Sequence, residues 1–446
     1  MIQPRGVASV SRADAALKRE LGRWDLTAIG VNQVIGGAVF ALPAALAARA
    51  GAWSPWMVGA VGIASMLIAL TFAEVASRFE GTGGPYLYTR AAFGRFAGFE
   101  VGWMLWFTRV ASWAAVINVL VSSLGFYWPA LTVGLPRGAT ITAIIVFLAA
   151  INIRGIRQSS LLLNALTLGK LIPLGVFIVA GIFFVDWHRL TPGSLPGPST
   201  LSATALLLIY AFGGYEVVPV PGGEARNPRA DVPFALITTI VVVAIVITLA
   251  QIVAIGTLID LSETSTPLAD AAAQFLGPAG AAMITVAAIL STSGNNMGGA
   301  LSGSRNLFAL AAQGDLPPFF AQVHPGFRTP VNAILITSAV ALVLALSGTF
   351  QTMATASAIS RLVIYLATCL SAVRLRRHRF DKTVNPPAFV IPFGPIVPFA
   401  AILIATTILA SATGTQLRNG SIALAVGAAL YAIAVVGNQS ERSGRR

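Results

Sequence analysis

The strings Ile35-Gly36-Gly37-Ala38-Val39-Phe40 and Phe212-Gly213-Gly214-Tyr215 each set a glycine pair in the middle of an apolar run, with Pro43, Pro219 and Pro221 close behind. Glycine costs about 1 kcal/mol in a helix interior, so each pair marks a point where a helix can open. An opened helix offers N–H donors and a positive dipole end where its second half begins. It also offers unpaired carbonyls where its first half stops. One such site holds a negative and a positive group together without any formal charge of its own. Close packing between helices through small residues is the other use of such pairs. Lys170, in LLLNALTLGKLIPLG, is a third unusual residue. Taking a lysine out of water disfavours its charged form, which suits it to proton exchange, although a long side chain can also snorkel to an interface. Arg109 in WFTRVASW and Arg361 in SAISRLVIY stay charged in any protein environment and each needs a partner.

These residues lie in a chain of 446, 56% hydrophobic and 10% charged, with a mean hydropathy of +0.79. A soluble globular chain carries about 25% charged residues, so a water-soluble fold is excluded. Long unbroken apolar runs, without period-2 alternation, point to membrane helices and not to a barrel. With about 20 apolar residues per crossing, twelve spans are expected at roughly 27–49, 54–78, 97–127, 138–153, 160–185, 201–222, 232–258, 279–311, 331–347, 351–374, 391–411 and 418–438. With the N-terminus inside, cytoplasmic segments hold 22 of the 29 Lys and Arg residues and the outer loops only Arg49, Arg137, Arg189 and Arg418. That asymmetry places both termini in the cytoplasm. The first 24 residues are polar and basic without an apolar core, as expected of a cytoplasmic tail and not of a cleaved signal. The net charge of +13 follows the loops. It forms no single basic face, so no nucleic-acid partner is expected.

Little else in the sequence suits catalysis. Cys369 is the single cysteine and His188, His324 and His378 fall in loops or at span ends. With no HExxH, no midspan histidine and no nucleophile–base set, neither a metal centre, a cofactor nor an enzyme activity is expected. Within the spans Glu100 and Glu216 are the acids available to Arg109 and Arg361, which read as ion-pair members, gate residues or, for Arg109, a contact to a substrate carboxylate. Glu74 reads as an anchor at the inner end of span two. The first and sixth spans are corresponding members of two five-helix halves, and interruptions at matching places point to a site built from discontinuous helices.

The string IGGAVFALP, the segment AEVASRFEGTGGPYLYTRAAFG (Ala73 to Gly94), the run GGYEVVPVPGGEARNPRADVP and the segment SRNLFALAAQGDLPPFFAQVHPGFRTP (Ser304 to Pro330) together resemble the amino acid, polyamine and organocation permease superfamily. Two departures are Glu80-Gly81, where that family often has a proline turn, and Gly223 before Glu224, where two acids are usual. The resemblance implies an all-α integral membrane protein with a LeuT-like fold. In that fold residues 1–24 are a tail, 25–190 and 191–376 are two inverted five-helix repeats, and 377–446 hold two further helices and a C-terminal tail.

By that likeness the chain is a secondary carrier in the inner (plasma) membrane, importing an amino acid or related amine by proton symport with alternating access, or exchanging such substrates. A zwitterion needs donors for its carboxylate, for which the backbone of Gly36, Gly37 and Ala38 is the candidate. Its ammonium needs acceptors, for which Ile35, Tyr210, Ala211 and Phe212 are candidates, with Gly213, Gly214 and Arg109 completing the site. Gly213 stands where many relatives carry a bulky apolar side chain, which implies a larger pocket and a bulkier substrate, lined by Phe212, Tyr215, Trp106 and Trp113. Some relatives put a fifth-span lysine in place of a sodium ion. Lys170 is then the proton-coupling residue, with Ser291, Thr292 or Ser293 beside it.

Overall fold

The computed structural model describes residues 14–124, 128–264, 266–347, 350–380, 382–410 and 414–443, so the start of the N-terminal tail lies outside the described residues. In chain order the helices are α1 (Arg23–Val34), α2 (Ala38–Ala50), α3 (Ser54–Ala76), α4 (Pro85–Phe93), α5 (Arg95–Leu124), α6 (Gly134–Arg154), α7 (Ile156–Gly181), α8 (Pro198–Phe212), α9 (Pro228–Thr257), α10 (Pro267–Ala312), α11 (Val331–Ser347), α12 (Phe350–Leu375), α13 (Ile396–Ala410) and α14 (Gly414–Ser443). The described residues form an all-helical protein. Six helical stretches are long and apolar enough to cross a membrane, namely Ala38–Ala76, Arg95–Val121, Gly134–Arg154, Ile156–Phe184, Pro228–Thr257 and Pro267–Ala312.

Glycine with positive φ sets the corners. Gly155 (φ 147°) turns α6 into α7, Gly94 (φ 95°) separates the short α4 from α5, and Gly277 (φ 64°) kinks α10 near its start. The expected first span is broken, α1 ending at Val34 and α2 starting at Ala38. The expected sixth span departs further. It is α-helical only as far as Phe212, and residues 213–224 wind on in turns and short 3₁₀ segments, since Pro219 and Pro221 supply no N–H for an α-helical ladder.

Helix α10 is the axis of the packing, lying against α5 and α7, while α3 packs on α9, α1 on α9, and α13 and α14 lie outside α12, α3 and α5. Without a hydrophobic drive between helices in lipid, small residues and hydrogen bonds hold such contacts. In SGNNMGG, Gly294 and Gly298 sit one turn apart and admit polar side chains from α1. A methyl group on Gly294 would fall on the Asn32 Oδ1, and one on Gly298 would fall on the Gln33 amide. Along α7 the residues Leu161, Leu168, Ile172 and Val179 are exposed, an apolar stripe for lipid, while Leu163, Thr167, Lys170, Leu174 and Phe177 face the bundle.

Ion pairs close the ends that carry the basic loops. Arg305 is held in both directions by Glu224 (Nε to Oε2 2.8 Å, Nη2 to Oε1 2.9 Å) and donates through Nη1 to the Asn152 Oδ1 at 2.5 Å, with both charged side chains wholly buried. The Glu224 carbonyl accepts the amides of Glu20 and Leu21, both at 3.0 Å, which staples the N-terminal stretch across this end. Asp315 collects the Tyr86 hydroxyl (2.5 Å), Arg90 (2.6 Å) and Arg95. Burial first, and then the Asp315 charge, hold the Tyr86 hydroxyl well above its usual range, so that it stays protonated and donates. Glu74, the expected anchor, is paired through both oxygens with Arg376 (2.6 and 2.7 Å).

The α1–α10 contact makes a direct prediction. Gly294→Ala forces the Asn32 side chain out of its seat and should cost about 1–3 kcal/mol, the usual cost of overpacking. By contrast Gly59→Ala, which meets nothing within 4 Å on α3, should leave stability unchanged or raise it. Thermal melting of the two purified variants in detergent checks this, and equal melting temperatures would contradict the packing described.

Candidate functional site

At the break between α1 and α2, the chain turns so that the Gly36 amide donates to the Val34 carbonyl (2.8 Å). The amides of Gly37, Ala38 and Val39 are then those an α-helix leaves without an intrahelical partner at its start. The other side of the break has the opposite problem, since apart from Val34 the carbonyls at the end of α1 lack the amides that a continuing helix would supply. Neighbouring helices satisfy these. Asn295 of α10 donates through Nδ2 to the carbonyls of Asn32 (3.2 Å) and Gln33 (3.1 Å), and Gln33 returns a bond from its Nε2 to the Asn295 carbonyl (2.8 Å). The Ile35 carbonyl accepts the Lys170 Nζ at 2.6 Å and the Ser291 Oγ at 2.7 Å.

Lys170 is therefore turned into the bundle, with 0% of its surface exposed, and does not snorkel. Of the three eighth-span hydroxyls, Ser291 reaches the break and also lies 3.3 Å from the Gly36 carbonyl. Thr292 bonds instead to carbonyls of its own helix, Ala288 and Ile289. Ser293 is only partly buried. The Ile35 carbonyl, expected to receive a ligand ammonium, has both lone pairs engaged in this conformation. The carbonyls of Tyr210, Ala211 and Phe212 belong to the last turn of α8, where an α-helix leaves acceptors unpaired. The Tyr210 side chain lies outside the described residues.

The second break meets the first. Gly214 has φ 133° and its built Cβ would stand 2.6 Å from the Gln33 carbonyl oxygen, so only glycine lets the two interrupted segments touch. Next to it Glu216 is wholly buried and accepts four contacts. Its Oε2 takes the Gly214 amide (2.8 Å) and the Tyr365 hydroxyl (2.9 Å). Its Oε1 takes the Arg109 Nη2 (3.1 Å) and forms an ion pair with the Arg361 Nε (3.0 Å). Arg109 also donates through Nη1 to the Gln33 Oε1 at 2.8 Å. Tyr215 and Tyr365 stack with centroids 5.3 Å apart, and Phe72 meets both edge-on at 5.8 Å, which fixes the aromatic wall behind the carboxylate.

Several expectations change here. Glu216, shared by both arginines, is the partner, whereas Glu100 lies against Gly427 of α14. At Gly213, where a larger pocket was expected, the Arg361 side chain stands in the space that a side chain at 213 would take. A Cβ on Gly213 would stand 2.7 Å from its Cδ and 3.0 Å from its Cζ, and closer still to Nη1. Trp106 donates to Thr337 on α11 (3.2 Å), and Trp113 packs against Gly299, so both serve the packing. Phe212 is buried and faces Gly62 of α3.

Sequence reasoning passed over Asn32, Gln33, Asn295 and Arg305. The signal was present, since VNQVIGG and GNNMGG put amides within apolar runs, and SGSRNLF puts an arginine within the expected span 279–311. Polar groups at such places must find partners inside the bundle.

The amino acid permease family model matches residues 21–435. Among curated proteins the chain is similar to the serine/threonine exchanger SteT of Bacillus subtilis, 30% identical over 438 residues, covering 93% of this chain and 96% of that one. It is also similar to the methylthioribose transporter of the same organism, 26% identical over 96% of each chain. With the branched-chain amino acid permease BcaP, again of Bacillus subtilis, it shares 24% identity over 95% of this chain and 94% of the relative. These matches run nearly end to end over helices that include six capable of crossing a bilayer, and the chain therefore belongs to the amino acid permease family as a multi-pass membrane protein.

Proposed function

We propose that this chain imports an amino acid across the cell's inner membrane by proton symport, using alternating access about the two helix breaks. The relatives' names, an exchanger of serine and threonine and a permease for branched-chain amino acids, support an amino acid substrate. In this reading the chain crosses the bilayer twelve times in a LeuT-like arrangement. Residues 25–190 and 191–376 are inverted repeats, α1 with α2 and α8 with the turns after it are the corresponding broken spans, and both termini are cytoplasmic. The substrate carboxylate sits on the amides of Gly37 and Ala38, beside Gly36, and its ammonium faces the carbonyls of Tyr210, Ala211 and Phe212.

The observation that carries the coupling is the Lys170 ammonium on the Ile35 carbonyl, with Ser291 beside it. A protonated Lys170 supplies both a donor and a positive charge to the end of α1. Once neutral, it supplies a weaker donor and no charge, and the break is free to rearrange. Proton occupancy at Lys170 is thereby tied to the backbone geometry that shapes the site. Exchange on the same fold is the second reading, favoured by the 30% identity to a serine/threonine exchanger.

Purified protein reconstituted into substrate-free vesicles separates the two. An inward-directed proton gradient should drive uptake of an amino acid that the protein binds, and a strict need for internal substrate would establish exchange instead. Lys170→Ala should lose the gradient-driven component while retaining part of the binding seen by thermal shift. Unchanged proton dependence in that variant would remove Lys170 from the mechanism.

A further inference from the structure

The chain leaving α12 is strongly basic, with Arg374, Arg376, Arg377, Arg379 and Lys382 close together. Acids on the neighbouring elements are already engaged, Glu74 with Arg376 and Asp315 with Arg90 and Arg95. Arg374 differs from these. Its Nε is buried without a hydrogen-bond partner among the described residues, and its guanidinium lies over the Phe93 ring at the end of α4, 4.8 Å from the centroid. A charge held partly out of water with no counter-charge is costly, so a group of opposite sign belongs beside it. There is room for one. A cavity of about 400 Å³ opens between the end of α4 and the end of α12, and Ala91, Phe93, Gly94, Arg374, Phe380 and Thr383 are among its lining residues. Small residues keep it open, and a Cβ on Gly94 would meet nothing within 4 Å.

The surroundings of the cavity decide which anion it suits. Phe93 is 40% exposed and Phe96, just past the Gly94 corner, is 51% exposed, so the ring that carries the guanidinium also belongs to an apolar surface fit for acyl chains. A guanidinium resting by one face on a ring keeps its N–H edges for a phosphate, which it binds in a planar, two-pronged way. We propose that the cavity between α4 and α12 binds the phosphodiester headgroup of an anionic phospholipid, with Arg374 as its direct contact and the acyl chains running over Phe93 and Phe96. Exposed Arg377 and Lys382 add positive potential in the same stretch, as expected of a basic cluster that follows a membrane helix and attracts anionic lipid. A zwitterionic lipid brings its own cation to this surface and gains less. The bound headgroup joins α12 to α4, the helix whose Tyr86 and Arg90 hold Asp315. Asp381, the acid of this stretch, lies outside the described residues. The site needs a multi-pass membrane protein and no particular transported substrate.

The test is lipid retention by the purified full-length protein in neutral detergent, read by native mass spectrometry as phosphatidylglycerol or phosphatidylcholine is titrated in. Phosphatidylglycerol should half-saturate its first site at about a tenfold lower mole fraction than phosphatidylcholine, the difference that one charge-assisted contact makes. In Arg374→Gln that ratio should fall to about one. Ala91→Phe, which fills the cavity and leaves every charge in place, should abolish the preference as well, and it carries the test should the arginine variant not fold. Arg377→Gln, at an exposed position of the same basic run, should keep most of the preference, whereas attraction to a diffuse basic surface would make the two arginine variants alike. Equal binding of the two lipids by the wild type, equal losses in Arg374→Gln and Arg377→Gln, or a preference untouched by Ala91→Phe overturns the inference. So does inorganic phosphate that displaces phosphatidylglycerol mole for mole, which would assign the cavity to a soluble anion. A preference that appears only in Asp381→Asn overturns it too, since Arg374 would then be paired within the chain.

Discussion

Opening a helix inside a bilayer leaves backbone groups with no water to satisfy them, and the rest of this structure is arranged around that problem. Each unpaired amide or carbonyl in hydrocarbon costs several kcal/mol, so a break at mid-bilayer persists only if side chains from other helices take over. At the end of α1 this is done by Lys170 and Ser291 on the Ile35 carbonyl and by Asn295 on the carbonyls of Asn32 and Gln33. At the turn after α8 it is done by Glu216, whose carboxylate receives the Gly214 amide. The groups left over, amides at the start of α2 and carbonyls at the end of α8, are those suited to a zwitterion.

Two networks follow from this division. One ties α1 to α7 and α10, through amide side chains that fit only because Gly294 and Gly298 leave room for them. The other ties the segment after α8 to α5 and α12 through Glu216, Arg109, Arg361 and Tyr365. They meet where Gly214 touches Gln33, and Gln33 belongs to both, giving a bond to Asn295 and accepting one from Arg109. A change of protonation or ligand in one network therefore reaches the other through a single side chain.

Much of the fold could be read from the chain itself. Apolar runs gave helix positions within a few residues of those seen, as for α3, α11 and α12, because twenty apolar residues in succession have few other uses. The glycine pairs located both breaks for the same reason, since glycine is disfavoured in an unbroken span. The contents of the site were less legible. Nothing in the spacing of Gly213 and Arg361, 148 residues apart, says that one fills the space the other leaves. The choice between Glu100 and Glu216 as the acid for the arginines depends on which helix faces lie together, and periodicity alone gives only the faces of each helix by itself. Ser291 could not be told from Thr292 and Ser293, because three consecutive hydroxyls span most of a helical turn. The proline pair after Gly214 pointed to a weakened helix, yet the loss of regular α-structure as far as Glu224 needed the tertiary contacts to Leu21 and Arg305 to hold it.

The central claim is that the two breaks form one site whose backbone groups hold a ligand. It is tested most directly by an electron cryomicroscopy map of the protein in lipid nanodiscs with its transported amino acid bound. Ligand density should lie between the amides of Gly37 and Ala38 and the carbonyls at the end of α8, with Lys170 on the Ile35 carbonyl. Density elsewhere in the bundle, or α1 and α2 running on as one unbroken helix, would contradict the account.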